Sequence, residues 1–465
     1  MNFVDLNFYI LLIVTYLLYY FIPVQNIRNL ILLISSFVFY GANSMYHLGL
    51  FLIVAIVNYI LSLLSTKTTY AKLLICANVI FLIYFKYLIF ISDTVFNLLN
   101  YVTRIESPEF NIVLPIGISF FTFQLISYQV DVYRKSIKPE KNIINYFLYL
   151  FFFPQFVAGP VEKAKNLIPQ FKKLKTKLDL SYFWDGITLI AIGFFQKRFV
   201  SDNLREIYNF WERSYGNDKY YWGSSYDVLI CSMIYAYMLY ADFSGYTNIA
   251  RGSAKLFGIN LSENFKYPFL RTSVKGLFNN WHMSLLVWIR EYIYFPLILN
   301  KNKFFKIGAS SAVIITFLIM GLWHGAGWTY IFWGLYCGII LVIANKLQKF
   351  SWIKNMSPFF GFFIVQIVIC FEFLFFRAEN FLKVKQYLQA LTKFNVTDFN
   401  INHLLSTSAF YIAPIIFIDL FYIFNEKTNY KLKVPTLLKI IVICFFFWIG
   451  ITFRAQEAEF LYFRF

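Results

Sequence analysis

The sequence predicts an all-α polytopic membrane protein with about eleven transmembrane helices, joined by re-entrant and interfacial pieces. Hydrophobic residues make up 59% of the chain and charged residues only 14%, a balance foreign to soluble or disordered domains. Apolar runs of spanning length recur from one end of the 465 residues to the other. They leave no stretch long enough for a separate soluble domain. Residues 1–465 are therefore read as a single membrane-embedded domain, and any chemistry has to be built from helices and their connections.

The runs fall at 6–22, 29–42, 48–65, 71–92, 112–130, 143–160, 183–200, 225–243, 307–320, 328–346, 357–376, 407–424 and 435–452. A hydrocarbon core ~30 Å thick needs about twenty helical residues. The runs 29–42 and 307–320 are short by that measure and read as broken or re-entrant. Asp5 and no Lys or Arg precedes the first run, and Arg28 follows it. A cleaved signal wants positive charge first. The positive-inside rule instead puts the start of the chain outside and Arg28 inside.

Three connections are unusually polar. The first is 134–141. The second, 162–179, carries Lys163, Lys165, Lys172, Lys173, Lys175 and Lys177, with Pro160 and Pro169 preventing a long helix. It reads as a topogenic cytoplasmic loop, as a basic mouth for an anionic donor, or as both. The third runs from Asp242 to Lys306. Within it, Trp281, Trp288, Tyr292 and Phe295 share one face of an expected amphipathic interfacial helix over 279–299, while Arg290 and Glu291 lie on other faces. Ser244 is expected to cap an interfacial helix, and Asp242 either does the same or lines a cavity.

The net charge of +18 matches basic loops facing anionic headgroups of membrane lipid. No zinc-finger, helix-turn-helix or RNA-binding pattern accompanies it, so no nucleic acid is expected as a partner. Five scattered cysteines include no Cys-x-x-Cys pair, and no His-x-x-x-His occurs, so no metal site is indicated.

Only four histidines occur, His47, His282, His324 and His403. His282 follows Trp281 in Asn280-Trp281-His282-Met283-Ser284, and His324 follows Trp323 in the glycine-rich run 321–328. A titratable imidazole is costly near hydrocarbon, which makes a functional reading the default; the alternative is a structural ring bonded to a carbonyl. Gly321, Gly325 and Gly327 allow either close helix approach or an irregular backbone beside a substrate.

Several blocks together carry a family resemblance. They are Leu114 to Gln124 with Asp131-Val132-Tyr133-Arg134, then Phe152 to Val161, then Asp242-Phe243-Ser244-Gly245-Tyr246 with Leu256 to Ile259 and Glu263-Asn264-Phe265, then the two Trp-His segments and the closing Phe460 to Phe465. In that order they resemble the alginate-O-acetylation and peptidoglycan-O-acetylation branch of the membrane-bound O-acyltransferases, over a motif core of about 110–340. The resemblance implies a helical fold around a central tunnel, in which a cytosolic acyl thioester, acetyl-CoA in the first place, gives up its acyl group. It implies that His324 is the catalytic histidine and His282 the second signature histidine. It also implies an extracytoplasmic O-acetyltransferase partner, and no permanently bound cofactor. Relatives often carry a basic pair where this chain has Asn279 and Asn280; the missing charge has to come from elsewhere, with Arg271, Lys275 and Arg290 as candidates.

Acyl transfer from a thioester to an alcohol needs a base and a stabilised oxyanion, and a neutral imidazole suits the base. The expected catalytic residues are therefore His324 as base and His282 as an orienting or polarising group. Trp281, Trp323, Asp242 and Arg290 are the expected substrate contacts. The acceptor is read as a surface polysaccharide. Peptidoglycan is preferred over an alginate-like polymer, because the Phe-, Tyr-, Ile-, Asn- and Lys-rich composition suggests an AT-rich genome. D-alanyl transfer to teichoic acid, and a non-catalytic polymer transporter or scaffold, stay open at this point.

Overall fold

The computed structural model describes residues 1–64, 68–103, 108–157, 159–173, 179–215, 224–299, 307–394, 401–428, 435–453, 455 and 460–461. Ala158, Lys175, Lys177, residues 300–306 and residues 462–465 of the motifs above lie outside the described residues. Among the described residues every regular element is helical. Of the helices among the described residues, six are long and apolar enough to cross a bilayer, and three shorter apolar ones accompany them. The chain groups into two compact units, residues 1–190 with 249–262, and residues 191–248 with 263–465.

The first unit is built on α1 (Leu6–Phe21), α2 (Gln25–Gly41), α3 (Met45–Leu64), α4 (Thr68–Leu82), α5 (Leu88–Thr103), α6 (Ile118–Tyr133), α7 (Ile143–Phe151) and α8 (Ala164–Lys172). A π-helical turn, Ile83–Tyr87, joins α4 to α5. Polar side chains inside this apolar unit satisfy one another. Asn58 and Asn78 exchange amide hydrogen bonds at 3.1 and 2.9 Å, and the Gln129 amide donates to Asn58 at 3.3 Å. Away from water an unmet amide is expensive, and such pairs specify helix register.

The expected span 143–160 is corrected here, because α7 ends at Phe151 and the chain turns while still buried. Pro154 disfavours helix at the residue before it. The backbone groups released at the turn are met by side chains. The Tyr149 carbonyl accepts from the Gln124 amide at 3.1 Å and the Gln155 amide at 2.8 Å, and the Phe153 N–H donates to the Ser36 hydroxyl at 3.0 Å.

The second unit takes the end of α9 (Leu180–Phe195) and most of α11 (Ser225–Leu256), whose remaining residues belong to the first, together with α10 (Asp202–Tyr215), α12 (Val274–Asn280), α13 (Met283–Ile289), α14 (Phe295–Ile298), α15 (Ala309–His324), α16 (Trp328–Leu347), α17 (Ser351–Lys354), α18 (Pro358–Arg377), α19 (Phe381–Ala390), α20 (Ile401–Thr428) and α21 (Thr436–Thr452). A π-turn, Gln196–Ser201, joins α9 to α10.

Two expectations are corrected in α11. The run 225–243 continues as helix to Leu256, and Ser244 is interior to it rather than a cap. Asp242, Ser244, Thr247 and Ser253 are all buried, so they face protein and not lipid. That is why hydropathy alone ended the helix too soon. A third correction concerns 279–299, which is not one helix. It breaks at Trp281–His282, where His282 has φ +44°, and it contains a further π-turn at Arg290–Tyr294.

Helices α15 and α16 form a hairpin whose backbones touch. A methyl group at Gly321 would lie 2.2 Å from the Tyr330 carbonyl oxygen, and one at Gly334 would lie 2.3 Å from that of Phe317. Both positions therefore exclude any side chain. Gly321→Ala or Gly334→Ala should lower the apparent melting temperature in detergent, on the scale of the ~1–3 kcal/mol that overpacking costs. Gly327→Ala should be near neutral, since its nearest neighbour would be 3.5 Å away. Equal melting of all three variants would contradict the seam.

Candidate active site

Both Trp-linked histidines belong to the second unit and both are buried, at 3% exposure for His282 and 4% for His324. His324 is the last residue of α15, and His282 is the N-cap of α13. Sequence places them far apart, yet both imidazoles meet the same indole. The Trp323 ring lies 5.8 Å from His282 and 4.8 Å from His324, centroid to centroid. His324 is further enclosed by Trp333 of α16 at 5.0 Å and Phe376 of α18 at 5.3 Å, both edge-on. His282 meets Phe243 of α11 edge-on at 4.6 Å.

The left-handed backbone at His282 is uncommon for a residue with a side chain and has to be held by its surroundings. Asn264 holds it. The Asn264 carbonyl accepts from the Met283 N–H at 2.9 Å. Its side-chain oxygen accepts from the Ser284 hydroxyl at 2.6 Å and the Ser284 N–H at 3.3 Å, and its amide donates to the Thr247 hydroxyl at 3.3 Å. Asn264 thus ties the His282 turn to α11.

The other expected contacts separate. Trp323 sits between the imidazoles. Trp281, half-buried, stacks on Phe269 at 5.4 Å and also meets Phe265 and Phe373. Arg290 is exposed, on a different face from the buried Trp288. Asp242 is fully buried in an ionic cluster. Its carboxylate takes the Lys197 ammonium at 2.7 Å and the Arg205 guanidinium at 3.6 Å, and it accepts from the Leu461 N–H at 2.9 Å. Lys197 is shared with Asp202 at 2.8 Å, which also holds Arg198 at 2.9 Å.

Asn280 works through hydrogen bonds. Its side-chain oxygen accepts from Arg271 at 2.9 Å and its amide donates to the Gly276 carbonyl at 2.7 Å. Of the candidate replacement cations, Arg271 is therefore the one at this position; Lys275 and Arg290 are exposed. Sequence reading gave no role to Asn264, Phe243, Trp333 or Phe376. Asn264 and Phe243 lay inside quoted motifs, which was the available signal. Phe376, in a phenylalanine-rich span, carried none.

The described geometry brings two imidazoles around one indole inside a helical, largely apolar unit. The sequence profile of MBOAT, the membrane-bound O-acyltransferase family, matches residues 66–382. A probable alginate O-acetylase of Azotobacter vinelandii is 34% identical, over 78% of this chain and 72% of its own. A peptidoglycan O-acetyltransferase of Helicobacter pylori is 29% identical, over 93% of this chain and 91% of its own. A teichoic acid D-alanyltransferase of Bacillus subtilis is 27% identical, over 59% of this chain and 71% of its own. The chain belongs to the membrane-bound O-acyltransferase family. It is an acyltransferase and a multi-pass membrane protein.

Burial pushes the His282 imidazole down to about 3, far below its ordinary 6.5, so it is neutral at physiological pH. Between these two values the unfolded chain binds a proton at His282 that the native protein does not, so stability rises with pH across this window. Acidification below about 6.5 should therefore lower the apparent melting temperature, in a window that closes near 3. His282→Gln should show a shallower slope than the parent. An identical slope would remove His282 as a source of acid sensitivity.

Proposed function

We propose that the protein takes an acetyl group from a cytosolic acyl thioester, with acetyl-CoA as donor, and passes it across the cytoplasmic membrane for O-acetylation of a cell-surface polysaccharide. The observation that carries this reading is the convergence of His282 and His324 on Trp323 from two separate helices. Peptidoglycan is preferred as the polymer, because the near end-to-end match is to the peptidoglycan enzyme. The alginate enzyme aligns over a smaller share of its own length.

In this reading His324 is the base. As the acceptor hydroxyl attacks the thioester carbonyl, His324 takes its proton. The oxygen–acyl bond forms, the carbon–sulfur bond breaks, and the proton passes to the departing thiolate. General-base help of this kind is worth roughly 10²–10⁴-fold. Neutral His282 has one N–H to offer the carbonyl oxygen, and a donor placed there is worth about 3–4 kcal/mol. Trp323 and Trp281 supply apolar walls that keep water from the thioester. Arg290, exposed, is available to an anionic donor headgroup. The thiolate leaves readily, so these parts suffice without a permanently bound cofactor. The attacking hydroxyl in this reading belongs to an extracytoplasmic O-acetyltransferase, whose acetyl ester is then attacked by a polymer hydroxyl, so that the group ends on the polymer and the partner regains its own hydroxyl.

The test uses membrane vesicles holding the full chain, supplied with labelled acetyl-CoA or with a D-alanyl carrier protein. Acetyl transfer is expected, and D-alanyl transfer alone would move the protein to the other donor class. His324→Ala, at matched expression and melting profile, should lower acetyl transfer by roughly 10²–10⁴-fold. Retained transfer would take His324 out of the chemistry, and retention with both imidazoles replaced would favour a non-catalytic transporter.

A further inference from the structure

Asp242 sits in the signature run 242–246, yet its carboxylate is buried among Lys197, Arg205 and a backbone N–H. That N–H belongs to Leu461, 219 positions away in the chain. The residue before it, Phe460, is 0% exposed. Its ring lies 4.3 Å from that of Tyr246 and 5.6 Å from that of Phe243. Phe243 in turn stands edge-on to the His282 imidazole at 4.6 Å. Phe243 also meets Phe265 at 5.1 Å, next to Asn264, which fixes the His282 backbone.

We infer that Phe460–Leu461 is a positioning clamp for His282: Asp242 anchors the segment through the Leu461 N–H, and the Phe460 ring backs Phe243, which sets the imidazole. This rests on the reading of His282 as part of the transfer site.

The His282 backbone is held by Asn264 in a conformation that side-chain-bearing residues seldom adopt. Its ring is held separately, by Phe243 on one side and Trp323 on the other. Phe243 keeps its edge-on setting only while the space behind it is filled. Phe460 fills that space, and an ordered backbone N–H directed at a buried carboxylate keeps Phe460 there. A buried carboxylate that loses a donor is costly, so the anchor is strong for a single hydrogen bond. Loss of the clamp leaves a void behind Phe243 and lets the imidazole shift. A shift of about 1 Å in a reacting group costs on the order of 10²-fold in rate.

The variants separate anchor from ring. Leu461→Pro deletes the N–H, and Leu461→Ala keeps it. Phe460→Ala empties the space, and Phe460→Tyr refills it. Phe460→Leu keeps apolar bulk without the ring, in case the smaller side chain prevents folding. Each is assayed as the full chain in membranes for kcat and donor KM per folded molecule, with melting profile and detergent elution alongside and His282→Ala run in parallel. The clamp predicts a kcat lowered by roughly 10- to 100-fold in Leu461→Pro and Phe460→Ala or Phe460→Leu, with donor KM unchanged and melting retained. It predicts near-parental kcat in Leu461→Ala and Phe460→Tyr. Parental kcat per folded molecule in the first set, while His282→Ala is inactive, overturns the clamp and leaves the transfer site standing. Full activity of His282→Ala overturns both.

Discussion

Lys197 is the interaction on which the second unit turns. It lies in a π-turn between α9 and α10, fully buried, with two carboxylates within 2.8 Å. A lone ammonium is costly to bury, and so are two lone carboxylates. Paired, they fix the register of the 196–202 turn against α11 through a contact that tolerates little sliding. The register of α11 in turn decides which of its residues face inward: Tyr240, Asp242, Phe243, Tyr246 and Thr247 all point to protein. One of these carries a ring to His282, and another takes the Asn264 amide. The surroundings of His282 thus depend on a charge cluster set apart from the imidazole itself.

The same solution recurs with different chemistry. Arg377, at the end of α18, is 7% exposed and has the Tyr387 ring 4.3 Å from its guanidinium carbon, with Trp211 and Tyr208 at 5.7 and 5.9 Å. Aromatic faces stabilise a cation where few carboxylates are available. In the first unit, amides serve the purpose, as Asn58, Asn78 and Gln129 show. The abundance of Phe, Tyr and Trp is therefore more than apolar filling. Rings line the histidines, back one another in edge-on pairs and shield charge.

Much of this was legible in the sequence. Several apolar runs, such as 328–346, 357–376 and 435–452, marked their helices to within a residue or two, because helices that face lipid are hydrophobic by necessity, whereas the helical stretch begun at 71–92 continues to Thr103. The two Trp-His segments stood out because histidine is so scarce in the chain, and the fold brings both imidazoles to one indole. What hydropathy misread were segments facing protein. Helix α11 continued through Asp242 and Ser244 because their partners come from remote parts of the chain. Helix α7 stopped at Phe151 although the run continued, because Pro154 and two glutamine amides made a buried turn possible. The break at Trp281–His282 was hidden for a related reason: the residue that holds it, Asn264, lies outside any local window. Local periodicity cannot report a hydrogen bond made by a residue twenty positions upstream.

The seam between α15 and α16 has one more implication. Because Gly321 and Gly334 meet through main-chain atoms, no rotamer is available there to absorb movement. His324 rides at the end of that seam, so this wall of the cage is stiff. Any widening to seat a reacting molecule falls to the ring-bearing walls, Phe376 and Trp333 around His324 and Phe243 beside His282, whose side chains have torsions to turn. What freedom this cage has lies in a few phenyl and indole torsions around a backbone strut.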